Sequence, residues 1–211
     1  MIPVLCGEMT TLFKYARDRN STNCMLDSTE TLTIENVVGT AGIGREIDLQ
    51  RLAIDLEGAD YDPDNFPGII HRLQGAKPTV LLFRSGKMVC TGGDSVTSMH
   101  NAFDIAFDRL RTLGIPVDES PDVVIQNLVM SGDLGNQLNL NAVAIGLGLE
   151  QVEYEPEQFP GLIFRVDDPD IVALLFGSGR IVVTGAKSPE DGRNGMKTIT
   201  TQLNELDLLE S

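Results

Sequence analysis

Apolar and polar residues alternate from Thr31 to Gly39, and the run is rich in β-branched side chains, which predicts a strand. Asp48 then caps a run in which Leu49, Leu52, Ala53 and Leu56 recur at i, i+3, i+4 and i+7, one stripe of a helix that Gly58 ends. The turn-rich segment Asp60 to Asn65 leads into three short strands, about 68–74, 79–85 and 87–92, with Ser85-Gly86 as the tight hairpin between the last two. From Ser95 onward Met99, Phe103, Ala106, Leu110 and Leu113 share one face of a longer helix, and Gly114 stands just past its end.

The plan then recurs. Val123 to Val129 predicts a second opening strand, Leu140, Val143, Ala144 and Leu147 mark a second short helix, and Met196, Ile199, Leu203 and Leu206 mark a last one. Phe66-Pro67-Gly68-Ile69-Ile70-His71-Arg72 returns as Phe159-Pro160-Gly161-Leu162-Ile163-Phe164-Arg165. Leu81-Leu82-Phe83-Arg84-Ser85-Gly86-Lys87 returns as Leu174-Leu175-Phe176-Gly177-Ser178-Gly179-Arg180, and Val89-Cys90-Thr91-Gly92 as Val182-Val183-Thr184-Gly185. Between 66 and 92, 13 of 27 positions match the residue 93 further on, which marks an internal duplication. The opening strands lie 91 apart, so the second copy gains two residues between Leu149 and Glu155. Two copies of this length do not make a solenoid; a pseudo-twofold pair of half-domains fits. The divisions are an N-terminal extension (1–26), a first repeat (27–115), a linker (116–124) too short to let the halves drift apart, and a second repeat (125–211). The extension lacks a sustained period and reads either as disordered or as the product of a start assigned too early, with Met25 as the first residue.

Composition adds one difficulty. The formal net charge is −15, from 31 acidic against 16 basic residues. An acidic, Lys-poor surface suits solubility or a salty cytoplasm, and by itself it argues against nucleic acid, whose phosphates are normally met by Lys and Arg. The first copy (27–115) sums to −5, from 8 basic and 13 acidic residues, and 116–211 sums to −11, from 5 and 16. Three cysteines without metal-ligand spacing and the lack of a signal peptide or membrane-length apolar run point to a reducing cytoplasm. Neither histidine, His71 or His100, is repeated in the other copy, and no catalytic set, phosphate loop or zinc spacing appears. The reading is therefore of a protein that is not an enzyme and needs no cofactor or metal.

Each copy supplies two helices, enough to cover one face of an antiparallel sheet. Side chains alternate across a strand, so Asn36 and Val38 share a face, as do Leu81, Phe83 and Ser85, and Val89 and Thr91. Leu82, Met88 and Cys90 turn toward the helices. The other face is then apolar and bare, which marks a binding surface. Were that face covered, its Val and Phe residues would be ordinary core and its Asn residues would only satisfy backbone groups.

The twice-repeated strings F-P-G-[IL]-I-x-R, L-L-F-x-S-G-[KR] and V-x-T-G, with I-x-N-[VL]-V opening each copy, resemble the TATA-binding protein family in its archaeal form, over roughly residues 29–208. The resemblance implies an α+β saddle: a curved ten-stranded antiparallel sheet with four helices on its convex side. It also implies a minor-groove binder of double-stranded promoter DNA that inserts apolar wedges and kinks the duplex. On it, Phe66, Phe83, Phe159 and Phe176 are the wedges. Asn36 and Asn127 hydrogen-bond minor-groove acceptors with help from Thr91 and Thr184, while Val38, Val89, Val129 and Val182 pack on the groove floor. Arg72, Ser85, Lys87, Arg165, Ser178 and Arg180 touch phosphates. The family also implies transcription factor B and RNA polymerase as partners. Glu155, Glu157 and Gln158, in the most acidic loop, are then the transcription factor B contact, the plainer reading being a solvated turn.

The chain departs from the family where Asp94 replaces the lysine that Lys187 keeps, and where Asp167 to Asp170 replace common basic residues. Cations bridging acidic side chains and phosphate are then expected to make affinity rise with salt. A saddle that binds protein or single-stranded nucleic acid without bending a promoter is the alternative function.

Overall fold

A computed structural model describes residues 32–73, 75, 77–148, 150–167 and 170–209. The N-terminal extension and its possible misassigned start lie outside the described residues.

Fourteen elements run in two matching series. The first is β1 (Thr33–Gly42), α1 (Leu49–Asp55), β2 (Ala59–Asp60), β3 (Gly68–Arg72), β4 (Thr79–Phe83), β5 (Lys87–Gly93) and α2 (Val96–Thr112). The second is β6 (Val123–Asp133), α3 (Leu140–Leu147), β7 (Val152–Glu153), β8 (Gly161–Val166), β9 (Ile171–Phe176), β10 (Arg180–Ala186) and α4 (Pro189–Glu205). All ten strands form one antiparallel sheet in the order β2-β3-β4-β5-β1-β6-β10-β9-β8-β7. That order reads the same from either end once each strand of one copy is replaced by its counterpart in the other, so the pseudo-twofold passes between β1 and β6, beside the Val37–Leu128 pair.

Each helix begins on a cap that both copies share. Asp48, Ser95, Asn139 and Ser188 accept a backbone N–H three residues on, at 3.1, 3.0, 3.3 and 3.1 Å. These bonds satisfy donors that the first helical turn leaves without partners. One continuous core joins the inward residues of all four helices to Val37, Val80, Leu82, Met88, Cys90, Leu128, Leu162, Ala173, Leu175, Ile181 and Val183 on the same side of the sheet. Cys90 lies deep enough that burial pushes its thiol up to about 12, the behaviour of an inert apolar residue. The other face carries no helix among the described residues.

Several element ends differ from the pattern-based expectation. Both opening strands run on past the alternating stretch, to Gly42 and Asp133, because their far ends pair with the neighbouring strands of their own copies, Gly42 with Lys87 on β5 and Asp133 with Arg180 on β10. Val123 and Val124 thus belong to β6, and the linker stops at Asp122. Helix α1 ends at Asp55, three residues before Gly58, with Leu56 already extended as its C-cap. Leu113 and Leu206 cap their helices and are 38% and 42% exposed, so they lie off the buried stripe. In the hairpin, Gly86 N–H donates to the Phe83 carbonyl at 2.9 Å, which puts Arg84 and Ser85 at the centre of the turn in place of Ser85-Gly86. The two-residue strands β2 and β7 carry no alternation of their own; they exist because β3 and β8 offer an edge to pair with.

Candidate nucleic-acid interface

At each end of the bare face two phenylalanine rings meet. Phe66 precedes β3 and Phe83 ends β4, with ring centroids 5.7 Å apart; Phe159 and Phe176 repeat the pair at 5.9 Å. All four are half-buried, and none lies beneath a helix. The glycine of each F-P-G string makes the pairing possible. A Cβ on Gly68 would stand 3.0 Å from Phe66 and 3.2 Å from Phe83, and one on Gly161 would stand 2.7 Å from Phe159 and 3.0 Å from Phe176. The turn before each ring is built alike, with Phe66 N–H and Phe159 N–H donating to the carbonyls of Asp62 and Glu155 at 2.9 Å.

The centre of the face is set by bulges. Thr91-Gly92 together oppose Val38, and Thr184-Gly185 oppose Val129, so each ladder carries one extra residue there. Gly92 and Gly185 take φ of +86° and +97°, which side chains with a Cβ avoid. Their freed N–H groups donate to Asn36 Oδ1 at 2.8 Å and Asn127 Oδ1 at 2.7 Å. Each asparagine is thereby oriented: its carbonyl oxygen is spent on the sheet, and its Nδ2 is the group left to face a ligand. In the second half Asn127 Nδ2 also lies 3.1 Å from Thr184 Oγ1, a contact that Thr91 and Asn36 do not make.

A second pair of bulges adds residues that alternation assigned to the other face. Glu35 and Gln126 are the extra residues between Ile34 and Asn36 and between Ile125 and Asn127. Ser131 Oγ donates to Glu35 Oε1 at 2.5 Å, and Gln126 Nε2 donates to Thr40 Oγ1 at 2.9 Å, each bond crossing between β1 and β6. Each sits at the unassigned x of an I-x-N string. A bulge breaks the period of two, so no pattern of alternation could have found them.

The four valines fall on this face as expected, but unequally. Val129 and Val182 are each only 5% exposed, joined with Leu174 in a cluster flanked by Phe159, Ile163 and Phe176. Val38 and Val89 remain half-buried.

The candidate phosphate ligands lie on the margins. Arg72 pairs with Asp60 at 3.4 Å and Arg165 with Glu153 at 3.8 Å, equivalent contacts in the two halves. Ser85 and Ser178 hydroxyls accept from the N–H groups of Lys87 and Arg180 across their turns, at 3.4 and 3.5 Å. Lys87, Arg72 and Arg165 are exposed, Arg180 half-buried. In the acidic loop Gln158 Nε2 donates to Glu155, and the first half repeats this with Asn65 on Asp62 at 2.6 Å, so both loops share one scaffold. Among the described residues no group of three His, Cys, Asp or Glu is placed to hold a metal ion, and no helix is long and apolar enough to cross a membrane.

A duplicated sheet, helices on one face, paired aromatics at both ends of the other and two clamped asparagines at its centre define a pseudo-symmetric α+β protein with one bare, largely apolar sheet face. The family model described as "Transcription factor TFIID (or TATA-binding protein, TBP)" matches residues 31–113 and again 122–206, once per copy. The TATA-box-binding protein of Natronomonas pharaonis is 60% identical over 186 residues, 88% of this chain and all of that protein. TATA-box-binding protein E of Halobacterium salinarum is 59% identical over 186 residues, with the same coverage. The solved structure of Methanococcus jannaschii TBP superposes with a TM-score of 0.75 at 46% identity, covering 82% of this chain and 98% of that one. The chain belongs to the TATA-binding protein family, a family of transcription initiation factors and not of enzymes, and it has the saddle fold of that family.

Proposed function

We propose that the bare face binds the minor groove of TATA-box promoter DNA, bends it, and presents the bent complex to transcription factor B and RNA polymerase. The observation that carries this reading is the pair of half-exposed phenylalanines repeated at both ends of an otherwise unpartnered apolar face. Prying a base step apart costs a few kcal/mol, and a ring set against the freed base returns about 1–3 kcal/mol. Two such wedges at opposite ends of one sheet bend the duplex between them.

Sequence reading falls to the centre. Asn36 and Asn127 present Nδ2 donors, and A·T pairs offer only acceptors on the groove floor. Val38, Val89, Val129 and Val182 leave nothing to accept the guanine N2 amine of a G·C pair, which would lose its water without replacement. Arg72, Arg165, Lys87, Arg180, Ser85 and Ser178 fix register on the backbone. Glu155, Glu157 and Gln158 form the transcription factor B contact.

Gel shift on an AT-rich TATA-like duplex, with circular permutation to read the bend, tests the DNA reading. A position-dependent mobility is expected; binding without it would favour a non-bending module for protein or single-stranded nucleic acid. Reversing Glu155 and Glu157 to lysine should abolish the ternary complex with transcription factor B and spare DNA binding, and an intact ternary complex would remove them from that interface.

A further inference from the structure

At one corner of the first half, Lys77 Nζ lies 2.6 Å from Asp94 Oδ2, with the two side chains 75% and 48% exposed. The lysine's hydrogen bond and charge hold the Asp94 carboxyl below its ordinary range. The same two positions 93 residues later hold Asp170 and Lys187, so the charges are exchanged between the strands. Each half therefore keeps one lysine and one aspartate at this corner, and neither keeps two lysines.

The corner borders the bare face. Lys77 stands two residues before β4, with its backbone carbonyl 3.5 Å from where a Cβ on Gly92 would lie. Asp94 follows β5 directly, just past the Thr91-Gly92 bulge that clamps Asn36. The line from the phenylalanines to the asparagines runs across the strands; this corner lies off that line along them, where the backbone flanking a groove would pass.

We propose that Asp94 acts as a built-in substitute for phosphate, holding Lys77 at the margin until a DNA phosphate takes its place. The first half then anchors the backbone from the start of β4, and the second anchors it with Lys187 from the end of β10. This rests on the DNA-binding reading above. A solvent-exposed ion pair is only weakly held, so the exchange is easily made. Holding the flexible lysine near its working position reduces the ordering left for DNA to impose. The cost is an aspartate left beside the phosphate, so Asp94 is a positioning residue that also limits affinity.

The test is fluorescence anisotropy of the full chain with a labelled AT-rich duplex across a KCl series, with thermal melts of every variant. Lys77→Gln should shift the slope of log K against log salt by about 0.9 relative to the parent, the signature of one lost phosphate contact, whatever the parent's own slope. Asp94→Asn should tighten binding several-fold, and that gain should shrink when Lys77→Gln is also present. Lys77→Asp alone should bind worst, and Lys77→Asp with Asp94→Lys, the layout of the second half, should recover the parental slope. An unchanged slope in Lys77→Gln would overturn the proposal, as would strictly additive effects of the two substitutions or a lowered melting temperature in Asp94→Asn with no change in affinity. Failure of the parent to bind the duplex would overturn the DNA reading and this one together; binding with an unmoved slope overturns this one alone.

Discussion

In the first half, β1 passes under α2 with Gly39 facing Met99; in the second, β6 passes under α4 with Met130 facing Gly192. A Cβ on Gly39 would come within 2.1 Å of Met99 Sδ, and one on Gly192 within 2.3 Å of Met130 Sδ. Counted by repeat offset, 39 corresponds to 130 and 99 to 192, so the same space is filled from the strand in one half and from the helix in the other. The Lys77–Asp94 corner shows the same exchange in charge. At the Gly39–Met99 and Met130–Gly192 contacts duplication has thus preserved a volume while the residues supplying it have traded places, and at the corner it has exchanged the charged residue types. Position-by-position identity understates how alike the halves are.

Other differences are not exchanges. His71 replaces Phe164 in the core, 2% exposed, with neither ring nitrogen hydrogen-bonded. On the bare face the second half has a consolidated cluster around Val182, whereas Val38 and Val89 of the first stay partly open. The second-half asparagine is held twice, and the first once, by the sheet and not by threonine.

The widest expected effect tests whether both ends are needed. Replacing Phe66 and Phe83 by alanine, or Phe159 and Phe176, should remove the bend in circular permutation and most of the affinity. Equal loss from either pair supports two equivalent wedges; a bend that survives one replacement breaks the equivalence. Next comes the packing exchange. Met130→Ala should cost about 2–5 kcal/mol in urea unfolding, and Gly192→Met alone about 1–3 kcal/mol from overpacking. Met130→Gly with Gly192→Met, the arrangement of the first half, should cost much less than the sum; additive losses would show that the two sites are not interchangeable.

Asn36→Ala should weaken DNA binding by about 1–3 kcal/mol, the scale of one base-edge contact, and should do so at least as strongly as Asn127→Ala, whose Nδ2 must first leave Thr184. An unaltered affinity would take Asn36 out of the site. The smallest effect lies at His71. Burial, above all, with the Arg109 charge adding to it and the Gly58 backbone opposing it, lowers its pKa. The unfolded chain therefore binds this proton more readily than the folded one, so stability is full above the ordinary histidine pKa and falls as pH drops below about 6.5, by at most about 1.4 kcal/mol per pH unit. His71→Phe, copying the second half, should flatten that part of the stability profile, and an unchanged profile would acquit the histidine.

Much of the candidate site was legible as a pattern because it is written twice. Phe66 and Phe159, or Asn36 and Asn127, stand out as one residue type at one place in two copies, and alternation put the helices on the opposite face from Leu81, Phe83, Val89 and Thr91. Glu35 and Gln126 were not legible, since a bulge turns consecutive residues to one side and period-two reasoning then misplaces one of them. Nor was the reason for Gly68 and Gly161, whose missing side chains matter only because two rings, from the ends of different segments, occupy the space.

By itself the chain's order of residues determined the two-copy plan, because its strings recur 93 residues on, and the helices, the strands and the bare apolar face, because these follow from periods and caps within a few residues of each other. The three-dimensional fold alone decided how Asn36 and Asn127 are aimed, why Gly39 and Gly192 carry no side chain, and which lysine meets which aspartate. Those outcomes depend on groups tens of residues apart in sequence, as in the Gly92 N–H that meets Asn36 Oδ1 across 56 positions, and no local pattern records a distance that only closure of the sheet creates.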